Sequence, residues 1–313
     1  MTEYTISGKE EGLTLIRFSS RVLKEAPNGL LYKFLRNKNI ELNGKKSDSG
    51  TVLKEGDKVS FFLSDETFEK LHGHQNAEDT SAVSLESERI LYEDEDYLFY
   101  DKPAGLRSQS DGSGKISLND LLLSYTGAKP GDICRPSVCN RLDTNTSGIV
   151  LCGKSVRGLQ TITEAIREHR IRKYYRAILK GHIDDMHLVS YLFDPKDGNK
   201  VSISDIPQNG YKEIITELKV IEANDELTYA ELYLITGRKH QIRAQSAHAG
   251  HPVAGDRKYG DGKDNFPRHM LHSYRTELPD DILNGLSVFA PIPSDMRKCL
   301  EKAGIRCDLH KGT

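Results

Sequence analysis

Two long strand-like runs, Ile214 to Ile221 and Leu227 to Ile235, follow each other with only a short polar turn at Asn224-Asp225 between them. So short a connection joins antiparallel neighbours, because a parallel pair needs a crossover of roughly a dozen residues or more. The chain is thereby directed to an α+β fold with a mixed, largely antiparallel sheet flanked by helices, and away from a doubly wound parallel one. Further strand-like runs are Ile90 to Tyr92, Tyr97 to Tyr100, Gly148 to Cys152 and Tyr175 to Leu179. Helical periodicity covers Ser117 to Ser124, opened by a Ser117/Asp120 capping-box pattern, and Ser155 to about Glu168, with Leu159, Ile162 and Ile166 on one face. A third helix is predicted from about His240 to Ala249, closed by Gly250.

Residues 13 to 63 form a separate pattern. Leu15, Phe18 and Val22 recur at helical spacing until Pro27-Asn28-Gly29 stops them, and Leu30, Leu31, Phe34 and Leu35 mark a second helix. Ile40-Glu41-Leu42 then enters an Asn43-Gly44 turn, and a last strand, Lys58 to Leu63, follows Gly56-Asp57. Two short helices, Asn-Gly-Lys and Lys-x-Gly-Asp-x-Val resemble the S4 RNA-binding module of ribosomal and RNA-modifying proteins. That resemblance makes Lys33, Arg36, Lys38, Lys45 and Lys46 expected RNA contacts; without it they would be ordinary solvated lysines and arginines. Residues 64 to 88 are acidic and poor in apolar side chains, which is linker composition. The expected division is 1–66 for the S4-like module, 67–87 for a polar linker and 88–313 for a larger domain.

Bulk properties exclude more than they assert. A chain of 313 residues suits roughly two domains. No run of eighteen apolar residues is present, so no membrane helix is expected. The N-terminal residues lack the pattern of a secretory signal. Five irregularly spaced cysteines fit reduced thiols in a cytoplasmic protein better than a disulfide framework. A net charge of −2 is neutral on nucleic-acid binding, since phosphate contact depends on where the positive charge lies. Arg167, Arg170, Arg172 and Arg176 concentrate it in one stretch and are expected RNA contacts.

The chemistry points to Asn140-Arg141-Leu142-Asp143-Thr144-Asn145-Thr146-Ser147-Gly148, just ahead of the run Ile149-Val150-Leu151. A carboxylate in a turn rich in hydroxyls and N–H donors stays ionised when partly buried, and can act as nucleophile or general base. An isolated Asp there would more simply cap the turn.

Asp143 is not isolated. Arg-Leu-Asp-x-x-Thr-Ser-Gly at 141–148 resembles the catalytic signature of RluA-class pseudouridine synthases. Lys102-Pro103-Ala104-Gly105, Lys173-Tyr174-Tyr175-Arg176-Ala177, and Leu234-Ile235-Thr236-Gly237-Arg238-Lys239-His240-Gln241-Ile242-Arg243 resemble three further blocks in the same order. Gly255-Asp256-Arg257-Lys258-Tyr259-Gly260 continues the pattern. The resemblance covers about residues 90 to 293, with one departure: Asn140 stands where many members have His. Asn cannot carry charge, so no proton transfer is assigned to it.

The resemblance implies a cofactor-independent RNA pseudouridine synthase with the family's fold. Asp143 would act at the C1′–N1 bond of a flipped uridine, Arg238 would be the cation paired with it, and Tyr175 would meet the base. Arg141, Leu142, Thr146, Ser147, Gly148, Lys173, His240, Gln241 and Arg243 would bind substrate, with Arg243 behind the pair or on a phosphate. Tyr174, on the other strand face, would pack. No metal is implied. Such members are usually monomers acting on large-subunit (23S) ribosomal RNA, with transfer RNA the alternative substrate.

Three rival readings are weaker. Gly148-Ile149-Val150-Leu151-Cys152-Gly153-Lys154-Ser155 matches a phosphate-binding loop literally, but its middle is strand-like and Ser155 reads as a helix cap. His72-Gly73-His74 and the cysteines lack the spacing of a metal site. A non-catalytic RNA-binding or ribosome-assembly protein rests only on Asn140.

Overall fold

The computed structural model describes residues 1–72, 84–129, 132–195, 200–262 and 265–307. The N-terminal elements are β1 (Thr2–Thr5), α1 (Leu15–Val22), α2 (Asn28–Arg36), β2 (Ile40–Leu42), β3 (Lys58–Phe61) and α3 (Asp65–His72). β1, β3 and β2 form an antiparallel sheet in that order. Asn43 and Gly44 both have positive φ, and Leu42 and Lys45 exchange backbone hydrogen bonds across them, the turn that Asn-Gly favours.

Leu15, Phe18, Val22, Leu31, Leu35, Val59 and Phe61 pack into one apolar core. Where linker composition was expected, Asp65–His72 instead forms a helix. Leu71 is buried in that core and Phe68 packs edge-on against Phe61, so two apolar side chains outweigh the acidic surroundings. Residues 73–83 of the expected linker, with Gly73 and His74, lie outside the described residues. The same core takes in Cys134 and Val156 from the larger region, and Val156 N–H donates to Lys9 O at 3.0 Å.

The larger region contains β4 (Ile90–Glu93), β5 (Tyr97–Lys102), α4 (Leu118–Tyr125), β6 (Ser137–Val138), β7 (Ser147–Gly153), α5 (Val156–Arg167), β8 (Arg172–Lys180), β9 (Met186–Phe193), β10 (Ser202–Ser204), β11 (Lys212–Ala223), β12 (Leu227–Leu234), α6 (Gln241–His248), β13 (Leu271–Glu277), β14 (Ser287–Phe289) and α7 (Ser294–Lys302). Its sheet runs β10-β9-β11-β12-β8-β13-β7-β5-β4, with β14 on β13 and β6 on β7. Among the described strands only β13 and β7 pair in parallel, so the sheet is mixed and largely antiparallel.

The run 148–153 that mimics a phosphate-binding loop is the buried strand β7, and Ser155 Oγ accepts from Gly158 N–H as the cap of α5. A loop free to wrap phosphate therefore does not exist there. The Ser117/Asp120 capping box closes in both directions.

Candidate active site

The strand ends converge at the middle of the sheet. β8 brings Tyr175 opposite Leu232 of β12 and Ser273 of β13, while Ser147 at the start of β7 lies opposite His272. Gly148 has φ +111, and a Cβ there would sit 2.1 Å from Ser273 O. Only glycine lets the turn enter β7 so close to β13.

The turn that carries Asp143 is tied down on every side. Asn140 Oδ1 accepts from Leu151 N–H at 2.7 Å. Leu142 N–H donates to Ser108 Oγ, which donates back to Leu142 O, each at 3.0 Å. Lys102, fully buried, donates from Nζ to Pro103 O, Leu106 O and Thr144 O. Arg268 donates to Asn145 O and to Ser147 Oγ, and forks onto Asp295. Thr146 Oγ1 meets His269 Nε2 at 2.8 Å and Ser147 Oγ meets His272 Nδ1 at 2.9 Å. Burial, helped by Arg268, lowers Lys102 to about 7 despite Asp143 and Asp101. Burial also lowers His269 and His272 to about 4, so both rings are neutral at pH 7.

Asp143 sits at the wall of a cleft of about 720 Å³, its side chain one-quarter exposed. Arg243 Nη1 donates to its Oδ2 at 2.6 Å. The rest of that guanidinium is fixed by Asp256, which accepts from Nε at 2.7 Å and from Nη2 at 2.9 Å. His240 Nε2 stands 3.7 Å from the other Asp143 oxygen. Tyr175 lines the cleft from β8, hydrogen-bonded to Ser273, and burial raises its phenol to about 12. Lys173, two positions earlier on the same strand face, also lines the cleft, and burial lowers its ammonium to about 8.

The chain belongs to the RNA pseudouridine synthase family. A ribosomal large subunit pseudouridine synthase C of Rickettsia bellii is 32% identical over 256 residues, covering 80% of this chain and 83% of that protein. A Bacillus subtilis protein named as an uncharacterised RNA pseudouridine synthase is 27% identical over 94% of this chain and 95% of its own length. The family profile described as RNA pseudouridylate synthase matches residues 96–248. Human RNA pseudouridylate synthase domain containing 4 shares the fold, with a TM-score of 0.60 and 19% identity over 71% of this chain and 95% of that one. The chain is thus an RNA pseudouridine synthase, an isomerase acting on RNA, with the α+β fold expected of it.

Several sequence expectations need revision in this frame. Arg238 does not pair with Asp143: it is exposed on the cleft rim, with its backbone N–H on Gln241 Oε1. Arg243, inside α6, takes that place, because this helix buries every residue from Gln241 to Ser246. Gln241 turns into the fold, its amide committed to Thr236, Ile215 O and Thr216. Arg176 cannot reach a phosphate backbone, since strand alternation puts it opposite Tyr175. There it is buried 4.2 Å from the Tyr274 ring centroid and 3.5 Å from Glu231.

The remaining positions are as follows. Arg141, Leu142, Lys173 and His240 line the cleft. Thr146 and Ser147, expected to bind substrate, are instead buried and brace the turn from behind through His269 and His272. Tyr174 stacks on Tyr233. Arg167 and Arg172 are exposed and pair with Glu164 and Glu277, and the half-buried Arg170 pairs with Glu168 and Asp281. On the N-terminal module Lys33, Arg36, Lys38, Lys45 and Lys46 are all exposed. Among the positions that sequence reasoning left without a role are Asp256, Arg268 and His269. Asp256 stood in a recognised block and could have been found there; the other two carry no local signal.

Proposed function

We propose that this synthase isomerises uridines in large-subunit ribosomal RNA, with Asp143 as its catalytic carboxylate. The observation that carries the reading is the Asp143–Arg243 contact at 2.6 Å, opening on a cleft that Tyr175 also lines. The guanidinium pairs with Asp143 in hydrogen-bond geometry, and only about a quarter of the carboxylate side chain is exposed. The carboxylate acts on the nucleotide as the C1′–N1 bond breaks. The uracil turns within the cleft, C5 joins C1′, the C5 proton leaves, and N1 regains a proton. No atom is gained or lost. Tyr175, un-ionised at neutral pH, supports the base with its ring and offers its hydroxyl near C5.

A uridine inside folded RNA has to be flipped out to reach Asp143, at a cost of roughly a few kcal/mol. Binding along the backbone offsets that cost. Arg141 and Arg238 on the rim, Arg167 and Arg172 beyond it, and the exposed lysines of the S4-like module suit that task. In this division residues 1–66 hold RNA, and the region from 88 onward carries out the reaction. Ribosomal RNA is favoured over transfer RNA because the Rickettsia relatives are named for the ribosomal large subunit.

The test is pseudouridine mapping of total RNA from cells lacking this gene, complemented with wild type or Asp143→Asn. Large-subunit sites that return only with wild type are the expected result. Sites confined to transfer RNA would overturn the substrate, and sites restored by Asp143→Asn would overturn the catalytic assignment.

A further inference from the structure

The block Gly255-Asp256-Arg257-Lys258-Tyr259-Gly260 lies beside Asp143, where Lys258 lines the same cleft, and it holds Arg243 and His240, which stand 2.6 and 3.7 Å from that carboxylate. Asp256, its side chain without solvent exposure, grips Arg243 through two hydrogen bonds. The same carboxylate accepts the backbone N–H groups of Lys258 and Tyr259 at 2.9 and 3.2 Å, so the loop is wound around the group that fixes the arginine. Its ends allow nothing bulkier than glycine: a Cβ on Gly255 would lie 1.8 Å from Arg268 O, and one on Gly260 would lie 2.7 Å from Asp256 O.

Tyr259 holds the second group. Its hydroxyl meets His240 Nδ1 at 2.8 Å and accepts from Val201 N–H at 3.1 Å. With Val201 donating to that oxygen, the phenolic proton is free to point at Nδ1. The proton on the neutral ring then belongs on Nε2, the nitrogen 3.7 Å from Asp143. The opposite tautomer would set a lone pair against a carboxylate oxygen. His240 itself has φ +54, a left-handed conformation that a non-glycine residue adopts at some cost, and it places the ring between Tyr259 and Asp143.

We infer that Asp256 and Tyr259 are the positioning residues of this synthase: one loop grips Arg243 so that its Nη1 meets one Asp143 oxygen, and presents the His240 Nε2–H to the other. The inference rests on the reading of Asp143 as the catalytic carboxylate. In the free enzyme the 3.7 Å gap is too long for a hydrogen bond, so His240 acts once substrate draws the groups together.

The experiment is single-turnover kinetics of the full chain on its RNA, with 15N spectra of the histidine rings. Asp143→Asn, Asp256→Asn and Tyr259→Phe are compared, and Tyr259→Phe is repeated in a His240→Gln background. Misplacing Arg243 through Asp256→Asn lowers the rate by roughly 10²-fold. Tyr259→Phe removes one hydrogen bond and lowers the rate roughly five- to tenfold, with substrate affinity little changed. It also moves His240 from one tautomer to a mixture. In the Gln background, where there is no tautomer to fix, Tyr259→Phe has no further effect. If Asp256→Asn does not fold, the Tyr259 pair alone decides. A dead Asp143→Asn beside a wild-type rate in Tyr259→Phe, or equal Tyr259→Phe losses in both backgrounds, overturns the inference alone. An active Asp143→Asn overturns the catalytic reading beneath it.

Discussion

Around the Asp143 turn Lys102, Arg243 and Arg268 are buried, and each is held by several acceptors; on the N-terminal module Lys33, Arg36, Lys38, Lys45 and Lys46 stand exposed. The first set fixes a geometry in which a misplacement of about 1 Å costs roughly 10²-fold in rate, so each charge is locked between partners. The second set suits a polyanion whose phosphates lie in no single place, which favours long side chains free to move. Charge can thus serve position or reach within one chain, and burial tells the two apart.

The sharpest break between the two sets is catalytic. Asp143→Asn should lower single-turnover conversion by roughly 10²- to 10⁴-fold, the range of a positioned acid or base, and leave RNA affinity nearly unchanged. Parallel losses of rate and affinity would mean that Asp143 serves binding.

The next effect is on folding. Arg243→Met leaves the wholly buried Asp256 carboxylate without its cation, at roughly 3–5 kcal/mol. Arg238→Met, on the exposed rim, should stay within roughly 0.5 kcal/mol and weaken RNA binding instead. Urea titration of both variants reads the difference, and equal losses would erase the contrast between buried and rim arginines.

Acid sharpens it further. His269 and His272 take up protons near pH 6.5 when unfolded but only near pH 4 when folded. Between these values the unfolded state binds more protons, so stability falls as pH drops from about 6.5 to 4. Asp101, raised by burial to about 6, works the other way over part of that window, because its folded form is protonated first. Two histidines against one aspartate leave a net loss. Denaturation midpoints at pH 7, 5.5 and 4.5 should descend, and His272→Asn should flatten the descent.

Much of this site was legible in the sequence because its chemistry is local. Asp143 stands in a turn of hydroxyl residues, and Lys173 and Tyr175 share a strand face by simple alternation. The same alternation puts Arg176 on the opposite face from the cleft, a signal masked by the five basic residues crowded into 167–176. Arg238 and Arg243 lie in one block, and only the burial of α6 says which of them turns inward. β13 was missed although it is central, since Leu271–Glu277 buries His272, Ser273 and Thr276 and shows no apolar alternation. Its polar residues are buried because they hold the turn and β8, a reason that lies more than one hundred residues away in the chain. α3 was hidden by its acidic neighbours, for two apolar side chains are too few to show as a period.

The smallest effect tests the exposed set. Lys45→Gln with Lys46→Gln removes two positive charges beside the Asn43-Gly44 turn, where neither side chain packs into the core. Folding stability should move by no more than roughly 0.5 kcal/mol. If both lysines meet phosphate, the slope of log affinity against log salt should fall by about one for each, and every RNA sequence should be weakened alike. Conversion at saturating RNA should not change, because Asp143, Arg243 and Asp256 are untouched. An unchanged salt slope would mean that these lysines are only solvated, and a loss of rate at saturation would mean that the module takes part in placing the uridine.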